Sequence, residues 1–219
     1  MKGLLRNSFY GAIGSARITL IFFAAIGLFL IINVNEVLLQ FFVLSCSIVF
    51  GFNALSSVRK ESATNWNKYV ITAPVQRKDI VKSRYINHAL WTLIGVVVAA
   101  LFLGLSLLIH GNYFSVNIVR AIISLFSLGI GIPLLMGCIF YPLIYLIESD
   151  KSEIIMGISL LGAVGITLGL IWLLNFSFGM DSVSDIEFFL GMVLYVGFVL
   201  LLFIISFFIT VRVNRKKEY

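Results

Sequence analysis

The chain has 219 residues, of which 60% are hydrophobic and only 12% are charged, and its mean hydropathy is +1.07. A soluble domain carries about 25% charged residues, so this composition excludes an ordinary water-soluble protein. The net charge of +6 is compatible with nucleic-acid binding. However, the basic residues lie beside apolar runs, as they do in proteins that they orient in a membrane. We therefore predict that the chain is embedded in the lipid bilayer and has no nucleic-acid partner.

Six apolar runs have lengths suited to crossing the roughly 30 Å hydrocarbon core of a bilayer. They predict an all-α integral membrane protein with six transmembrane helices in a single domain over residues 1–219. The predicted spans are 18–32, 37–55, 89–109, 121–147, 154–174 and 188–211. In the fourth span, Pro133 and Pro142 predict a kink.

Residues 1–17 precede the first span. On a helical wheel their apolar residues gather on one face, and Lys2, Arg6 and Arg17 lie along its flank. This pattern predicts an interfacial helix at the level of the lipid headgroups, with a frayed tail as the alternative. The following apolar run lacks a small-residue cleavage site, so we expect a retained span rather than a signal peptide.

The basic residues are divided unequally between the two sides that six alternating spans define. Of the 16 basic residues, only Arg120 falls on one side and all the others fall on the opposite side. By the positive-inside rule, both termini and the loop between the second and third spans are predicted to be cytoplasmic.

No ionisable residue is predicted well inside a span, where ion-driven transport or intramembrane catalysis would need one. His88 and His110 flank the third predicted span at opposite ends, so they cannot share a metal ion. Cys46 and Cys138 fall inside spans and are interpreted as buried small residues. The dipeptide Gly-Lys is absent from the sequence, which excludes a GxxxxGK[ST] phosphate-binding loop. We predict no catalytic, cofactor or metal site in this chain, which is therefore not expected to be an enzyme.

The segment 58–88 is the largest stretch predicted to lie in the cytoplasm. Trp66, Tyr69, Val70 and Ala73 would share one face of a short helix that Pro74 ends. Such a face can dock into a groove on a partner protein. It is equally suited to lipid headgroups, where Trp and Tyr are common. These residues alone leave both alternatives open.

Glycines on the fifth span predict a close helix contact. Gly162, Gly165 and Gly169 form a small-residue face that lets another helix approach closely. The partner helix is either within the same chain or in a second copy.

The cytoplasmic loops carry a family resemblance. The run from Glu61 to Tyr85, with Trp66, Lys68-Tyr69, Ala73-Pro74-Val75 and Arg77-Lys78-Asp79, resembles the segment after the second span in type-2 ATP-binding-cassette (ABC-2) permeases of bacteria. The stretch from Tyr141 to Met156 is similar to that family's passage from the fourth to the fifth span. Where the family commonly has a Phe-Gly pair and an Arg, this chain has Leu146-Ile147 and Glu153.

This resemblance implies a permease subunit of an exporter in a bacterial cell membrane. Its partners would be a second permease copy, identical or homologous, and a cytoplasmic ABC ATPase that binds ATP and Mg²⁺. The helix around Trp66 would be the coupling helix, and the implied ATPase contacts are Glu61, Trp66, Lys68, Tyr69, Pro74, Arg77 and Lys78.

Within the family the chain resembles compact permeases of Gram-positive bacteria that export antimicrobial or other amphipathic peptides, including phenol-soluble modulins. Amphipathic or hydrophobic peptides are accordingly the expected substrates. The alternatives are a non-transporting immunity or sensor protein and a secondary transporter that needs no ion gradient.

Overall fold

A computed structural model describes residues 2–32, 35–63, 76–110, 118–147, 151–178 and 185–216. Within these ranges the chain forms six long helices and no strand. The helices are α1 (Lys2–Ile32), α2 (Glu36–Ala63), α3 (Arg77–His110), α4 (Ile118–Leu146), α5 (Ser152–Phe178) and α6 (Asp185–Lys216). All six are long and apolar enough to cross a membrane. The predicted all-α class and the six spans are confirmed.

Most of the helices extend well beyond the predicted spans. They contain 27 to 34 residues, which corresponds to about 40 to 51 Å at 1.5 Å per residue. The hydrocarbon core is about 30 Å thick, so several polar turns lie outside it. The apolar runs delimited only the membrane-embedded part, because backbone hydrogen bonding continues into the polar turns. At the start of α2, Asn35 caps the helix by accepting a hydrogen bond from the amide of Leu38 at 3.1 Å.

The N-terminal segment differs from the prediction of a separate interfacial helix. Residues 2–17 are helical, but α1 continues unbroken through Arg17 to Ile32. Its apolar face packs on the neighbouring helices: Ala12 and Ala16 are buried, and Phe9 stacks on Trp91 with ring centroids 5.0 Å apart. The stripe that predicted contact with the membrane surface is covered by protein instead.

The six helices form two groups that share a centre. Helices α1, α2 and α3 enclose one apolar cluster, which includes Phe42 and Phe50. Helix α4 packs on α5 and α6 around a second cluster, which includes Leu135 and Met136. Because α2 and α3 also contact α4, these three helices form the middle of the bundle, while α1 and α5 lie at its edges.

The contact between α2 and α3 is close at Gly95. A Cβ atom at this position would lie 2.7 Å from the Cβ of Phe50 and 3.1 Å from the Cα of Ser47. Only glycine leaves room for the backbone of α2 there. The thiol of Cys46 also contacts the carbonyl oxygen of Gly95, at 3.7 Å.

Candidate functional site

Two ion pairs mark the opposite ends of the bundle. Arg59 near the end of α2 contacts Glu153 at the start of α5, with 2.6 Å between Nη2 and Oε1. At the other end, Arg120 of α4 donates from Nε to Oδ1 of Asp185 in α6 at 2.6 Å. We call the end that contains Arg59 and Glu153 the loop end, because there residues 64–76 join α2 to α3.

A cluster of polar side chains is buried near the loop end, two to three turns into α3. All seven of its members are less than 9% exposed. We call this cluster the polar hub, and it consists of Arg84, Tyr85 and His88 of α3, Tyr141 and Tyr145 of α4, and Ser206 and Thr210 of α6. It joins three helices through polar contacts within an otherwise apolar bundle.

Arg84 places a guanidinium group in the hub at 4% exposure. Its Nη1 donates to the hydroxyl of Tyr145 at 2.6 Å, and its Cζ lies 5.3 Å from the centroid of the Tyr145 ring. The hydroxyl of Tyr141 in turn donates to the backbone carbonyl of Arg84 at 3.2 Å. Burying a charge is costly, and a hydrogen bond together with an aromatic face offsets part of that cost. These contacts attach α3 to α4.

A second set of hub contacts attaches α3 and α4 to α6. The hydroxyl of Tyr85 lies 2.8 Å from both Ser206 Oγ and Thr210 Oγ1. Ser206 donates to the carbonyl of Cys138 at 2.7 Å. That carbonyl would normally accept from the residue four positions later, which is Pro142 and has no N–H. The hydroxyl on α6 therefore replaces the helical hydrogen bond that Pro142 removes from α4.

His88 lies at the deep side of the hub and is fully buried. Its Nε2 is 2.8 Å from the carbonyl oxygen of Pro133, which lies near the middle of α4. The ring packs between Phe203 and Tyr141. Because the carbonyl only accepts, Nε2 carries the proton in this bond. Among the described residues the other ring nitrogen, Nδ1, has no partner.

These positions correct the expectation that ionisable residues lie only at the ends of the spans. His88 was placed at the edge of the third span, yet α3 begins at Arg77 and His88 reaches the level of Pro133. The boundary was wrong because the apolar run begins only after the hub residues, whereas the helix and its burial begin before them. His110 behaves as expected of an end residue, and it contacts the carbonyl of Ile31 at 3.0 Å.

Comparison with known families decides what kind of membrane protein this is. The sequence model of a family described as "ABC-2 family transporter protein" matches residues 3–214, which is nearly the whole chain. The chain belongs to the ABC-2 transporter family. No curated protein and no solved structure matches it. Members of this family are membrane components of transporters, which agrees with the resemblance of the cytoplasmic loops to those of ABC-2 permeases.

The predicted coupling helix of this ABC-2 transporter lies outside the described residues. That applies to Trp66, Lys68, Tyr69 and Pro74. Glu61 belongs to the last turn of α2 and Arg77 is the first residue of α3, but their side chains are not described. Lys78 is exposed in the first turn of α3. The structure does show what holds the two ends of this segment: the Arg59–Glu153 pair on one side and the polar hub on the other.

The three glycines of α5 do not share one environment. A Cβ atom on Gly162 would lie 2.8 Å from Cδ1 of Ile139, so this residue faces α4 of the same chain. Around Gly165 and Gly169 there is no described atom within 4 Å of such a Cβ. This part of α5 is left open to lipid or to another protein.

The sequence interpretation missed Ser206 and Thr210, and it assigned no role to Arg84 and Tyr85. Pro142 carried a usable signal, because a proline inside a transmembrane helix frees the carbonyl four residues earlier for a polar partner. Nothing in the sequence identified α6 as the helix that supplies this partner.

Proposed function

We propose that this ABC-2 transporter chain is the permease subunit of an exporter that is driven by separate cytoplasmic ATPase subunits. The family match over residues 3–214 carries this proposal. The absence of a Gly-Lys dipeptide supports it, because ATP hydrolysis then requires another polypeptide. The loop end would face the cytoplasm, where ATP and the ATPase are found.

In this mechanism the ATPase acts on the segment 64–76 between α2 and α3. The last turns of α2 are joined to α5 by the Arg59–Glu153 pair. The first turns of α3 are joined to α4 and α6 by the polar hub. A displacement of the segment would therefore be passed to three other helices. Since the ion pair is exposed, it is worth at most about 1 kcal/mol and mainly sets position, whereas the hub is buried and transmits most of the force.

The expected cargo is an amphipathic or hydrophobic peptide. Support for this comes from the resemblance to peptide-exporting permeases. The proposal is tested with inverted membrane vesicles that contain the permease and its ATPase: a fluorescent amphipathic peptide should accumulate inside them only when ATP is present. If the vesicles hydrolyse ATP but accumulate no peptide of a panel of such peptides, peptide export is excluded.

The coupling role is tested by substitutions at Trp66 and Tyr69. Trp66→Ala should weaken association with the ATPase by about 2 kcal/mol or more, because buried aromatic anchors usually dominate such interfaces. The measurements are co-purification with the ATPase and ATP turnover by the assembled complex. Charge reversal at Arg77 or Lys78 should instead give a partial defect that diminishes as salt is raised.

Trp172→Ala is the matched control for Trp66→Ala. Trp172 lies near the far end of α5 and is 69% exposed, so its loss should leave ATPase association unchanged. If Trp66→Ala and Tyr69→Ala affect neither association nor turnover, then the segment is only a membrane-surface anchor and the coupling assignment is wrong.

A further inference from the structure

A cavity of about 420 Å³ opens at the loop end between the start of α3 and the end of α6. It combines three basic side chains with an apolar floor. The lining residues are Lys78 of α3 and Phe207, Phe208, Ile209, Val211, Arg212 and Arg215 of α6. This volume falls within the roughly 300 to 1,000 Å³ of ordinary ligand pockets. A molecule that is both anionic and apolar matches this lining.

The order of these residues along α6 follows the polarity of a bilayer. The helix has 32 residues, and its length of about 48 Å exceeds the roughly 30 Å hydrocarbon core. Its last turns therefore lie at the level of the headgroups. Arg212 and Arg215 belong to these turns, while Phe207 and Phe208 lie about one turn deeper, at the level of the acyl chains.

The cavity opens towards the surroundings of the bundle rather than into its core. In its floor, Phe208 is 63% exposed and Ile209 is 49% exposed. Lys78 and Arg212 are exposed as well, and within the described part of the chain neither forms an ion pair. The acidic neighbour of Lys78, Asp79, does not line the cavity. The positive charge of the cavity is therefore available to molecules in the adjoining lipid leaflet.

We propose that this cavity binds an anionic phospholipid from the leaflet at the loop end. The phosphate lies between Lys78 and Arg212, with Arg215 nearby, and an acyl chain lies on Phe208 and Ile209. Basic residues at a membrane surface attract anionic lipid headgroups, and the apolar floor selects a lipid over a free phosphate ion. The proposal does not depend on which cargo is transported. Because Lys78 is also one of the implied ATPase contacts, the test uses the permease chain without its ATPase.

Such a lipid would also stabilise the neighbouring hub. It bridges the start of α3 and the end of α6, and these are two of the helices that the hub joins. Phe207 of the cavity floor packs on Tyr85, with ring centroids 5.5 Å apart. A bound lipid therefore holds α3 against α6 beside the Tyr85–Ser206 contact.

The test uses the full chain purified in non-ionic detergent at low salt. The unfolding temperature is recorded by tryptophan fluorescence during titration with phosphatidylglycerol, with phosphatidylcholine, or with inorganic phosphate. We expect phosphatidylglycerol to raise the unfolding temperature and to remain attached in native mass spectra. Phosphatidylcholine lacks the net negative charge and inorganic phosphate lacks the acyl chains, so neither should reproduce the effect.

Substitutions locate the site. Lys78→Gln and Arg212→Gln should each raise the phosphatidylglycerol concentration for half-maximal effect about fivefold, and the double variant about 25-fold, as expected for loss of one or two surface charges. Lys82→Gln is the matched control, because Lys82 is exposed on α3 one turn later and does not line the cavity. This control should bind the lipid as the unchanged chain does.

Three results would overturn the proposal. An equal effect of phosphatidylcholine would show that the charges do not select the lipid. An equal effect of inorganic phosphate would show that the cavity binds free anions and does not require a lipid. An equal loss of binding in Lys82→Gln and in Arg212→Gln would reduce the attraction to a general property of the basic surface.

Discussion

At the scale of single residues, the hydroxyl of Ser206 has a role that only its surroundings explain. Pro142 leaves the carbonyl of Cys138 without a helical N–H donor, and Ser206 donates to that carbonyl at 2.7 Å. The same hydroxyl contacts Tyr85. A buried carbonyl without a donor costs about 1 to 3 kcal/mol, so the proline on α4 and the serine on α6 depend on each other.

This dependence is testable with a double-mutant cycle. In the chain that keeps Pro142, Ser206→Ala should lower the free energy of unfolding by about 1 to 2 kcal/mol, because it leaves a buried carbonyl without its donor. Pro142→Ala restores an N–H to α4. In that background the cost of Ser206→Ala should be smaller by about 1 kcal/mol. Unfolding is measured in detergent, by heating or by titration with a denaturing detergent.

A serine on another helix serves as the control for this cycle. Ser159 is also buried, but it donates to the carbonyl of Ile155 in its own helix α5. Ser159→Ala should cost the same in the unchanged chain as in the Pro142→Ala variant. An equal cost of Ser206→Ala in both backgrounds would show that Ser206 does not compensate for the proline.

Arg84 illustrates why a buried cation does not identify a binding site by itself. Its guanidinium donates to Tyr145 and lies against the ring of the same residue. In a transmembrane helix, ionisable side chains usually face the protein interior and pair there. The contacts of Arg84 follow this rule, and they give the side chain a structural role that joins α3 to α4.

At the scale of the elements, α3 connects most parts of the molecule. It follows directly on the predicted coupling segment, it contributes three residues to the polar hub, and it makes the close contact with α2 at Gly95. Helix α5, in contrast, is held mainly by α4. A force applied to the start of α3 is therefore distributed widely, whereas α5 has a free side.

The close contact of α3 with α2 predicts different effects for two glycines of this helix. Gly95→Ala should destabilise the fold by about 1 to 3 kcal/mol, because the added methyl group overlaps Phe50 and the backbone at Ser47. Gly104→Ala introduces the same group where there is no described atom within 4 Å. It should be neutral or stabilising by up to about 1 kcal/mol. Thermal unfolding of both variants in detergent decides this, and equal effects would contradict the packing of α2 on α3.

The resemblance to ABC-2 permeases implies a second permease copy, and the free side of α5 is one surface where that copy could bind. If two copies meet at Gly165 and Gly169, then Gly165→Leu should weaken dimerisation by about 1 to 3 kcal/mol through overpacking. The thermal stability of the single chain should not change, because that position is open within the chain. Energy transfer between labelled copies in bilayers measures the dimer.

Gly197→Leu is the control for this interface, since Gly197 is a similarly open position on α6. This variant should dimerise like the unchanged chain. Dimerisation of Gly165→Leu at full strength would exclude this face of α5 as the interface, while weakening by both variants would indicate a general effect of added leucine.

At the scale of the whole molecule, the distribution of charge predicts the orientation in the membrane. The spans predicted from the sequence assign all basic residues except Arg120 to the side of the loop end, and basic residues are retained in the cytoplasm. A membrane-impermeant maleimide applied to intact cells should therefore label Asn112→Cys, in the segment between α3 and α4, and not Gln76→Cys. The native Cys46 and Cys138 are replaced by alanine for this experiment. Labelling at position 76 but not at position 112 would show that the chain has the opposite orientation.

The whole-molecule architecture was largely predictable, because it depends on apolar length. Every predicted span lies within or close to one described helix, and the family follows from residues spread over almost the entire chain. The extent of α1 was not predictable in the same way. Its apolar stripe matched the face of an interfacial helix, but packing of Ala12 and Ala16 on α2 and α3 covers this stripe.

The sequence by itself determined the number of spans, their alternation and the unequal charge of the two sides, because these properties are sums over long local stretches. Only the tertiary structure decided that Ser206 supplies the bond that Pro142 removes, that Gly162 faces α4 while Gly165 does not, and that Lys78 and Arg212 line the same cavity. Such contacts join residues that are distant in the chain. They depend on how each helix is rotated about its axis, and packing between helices sets that rotation.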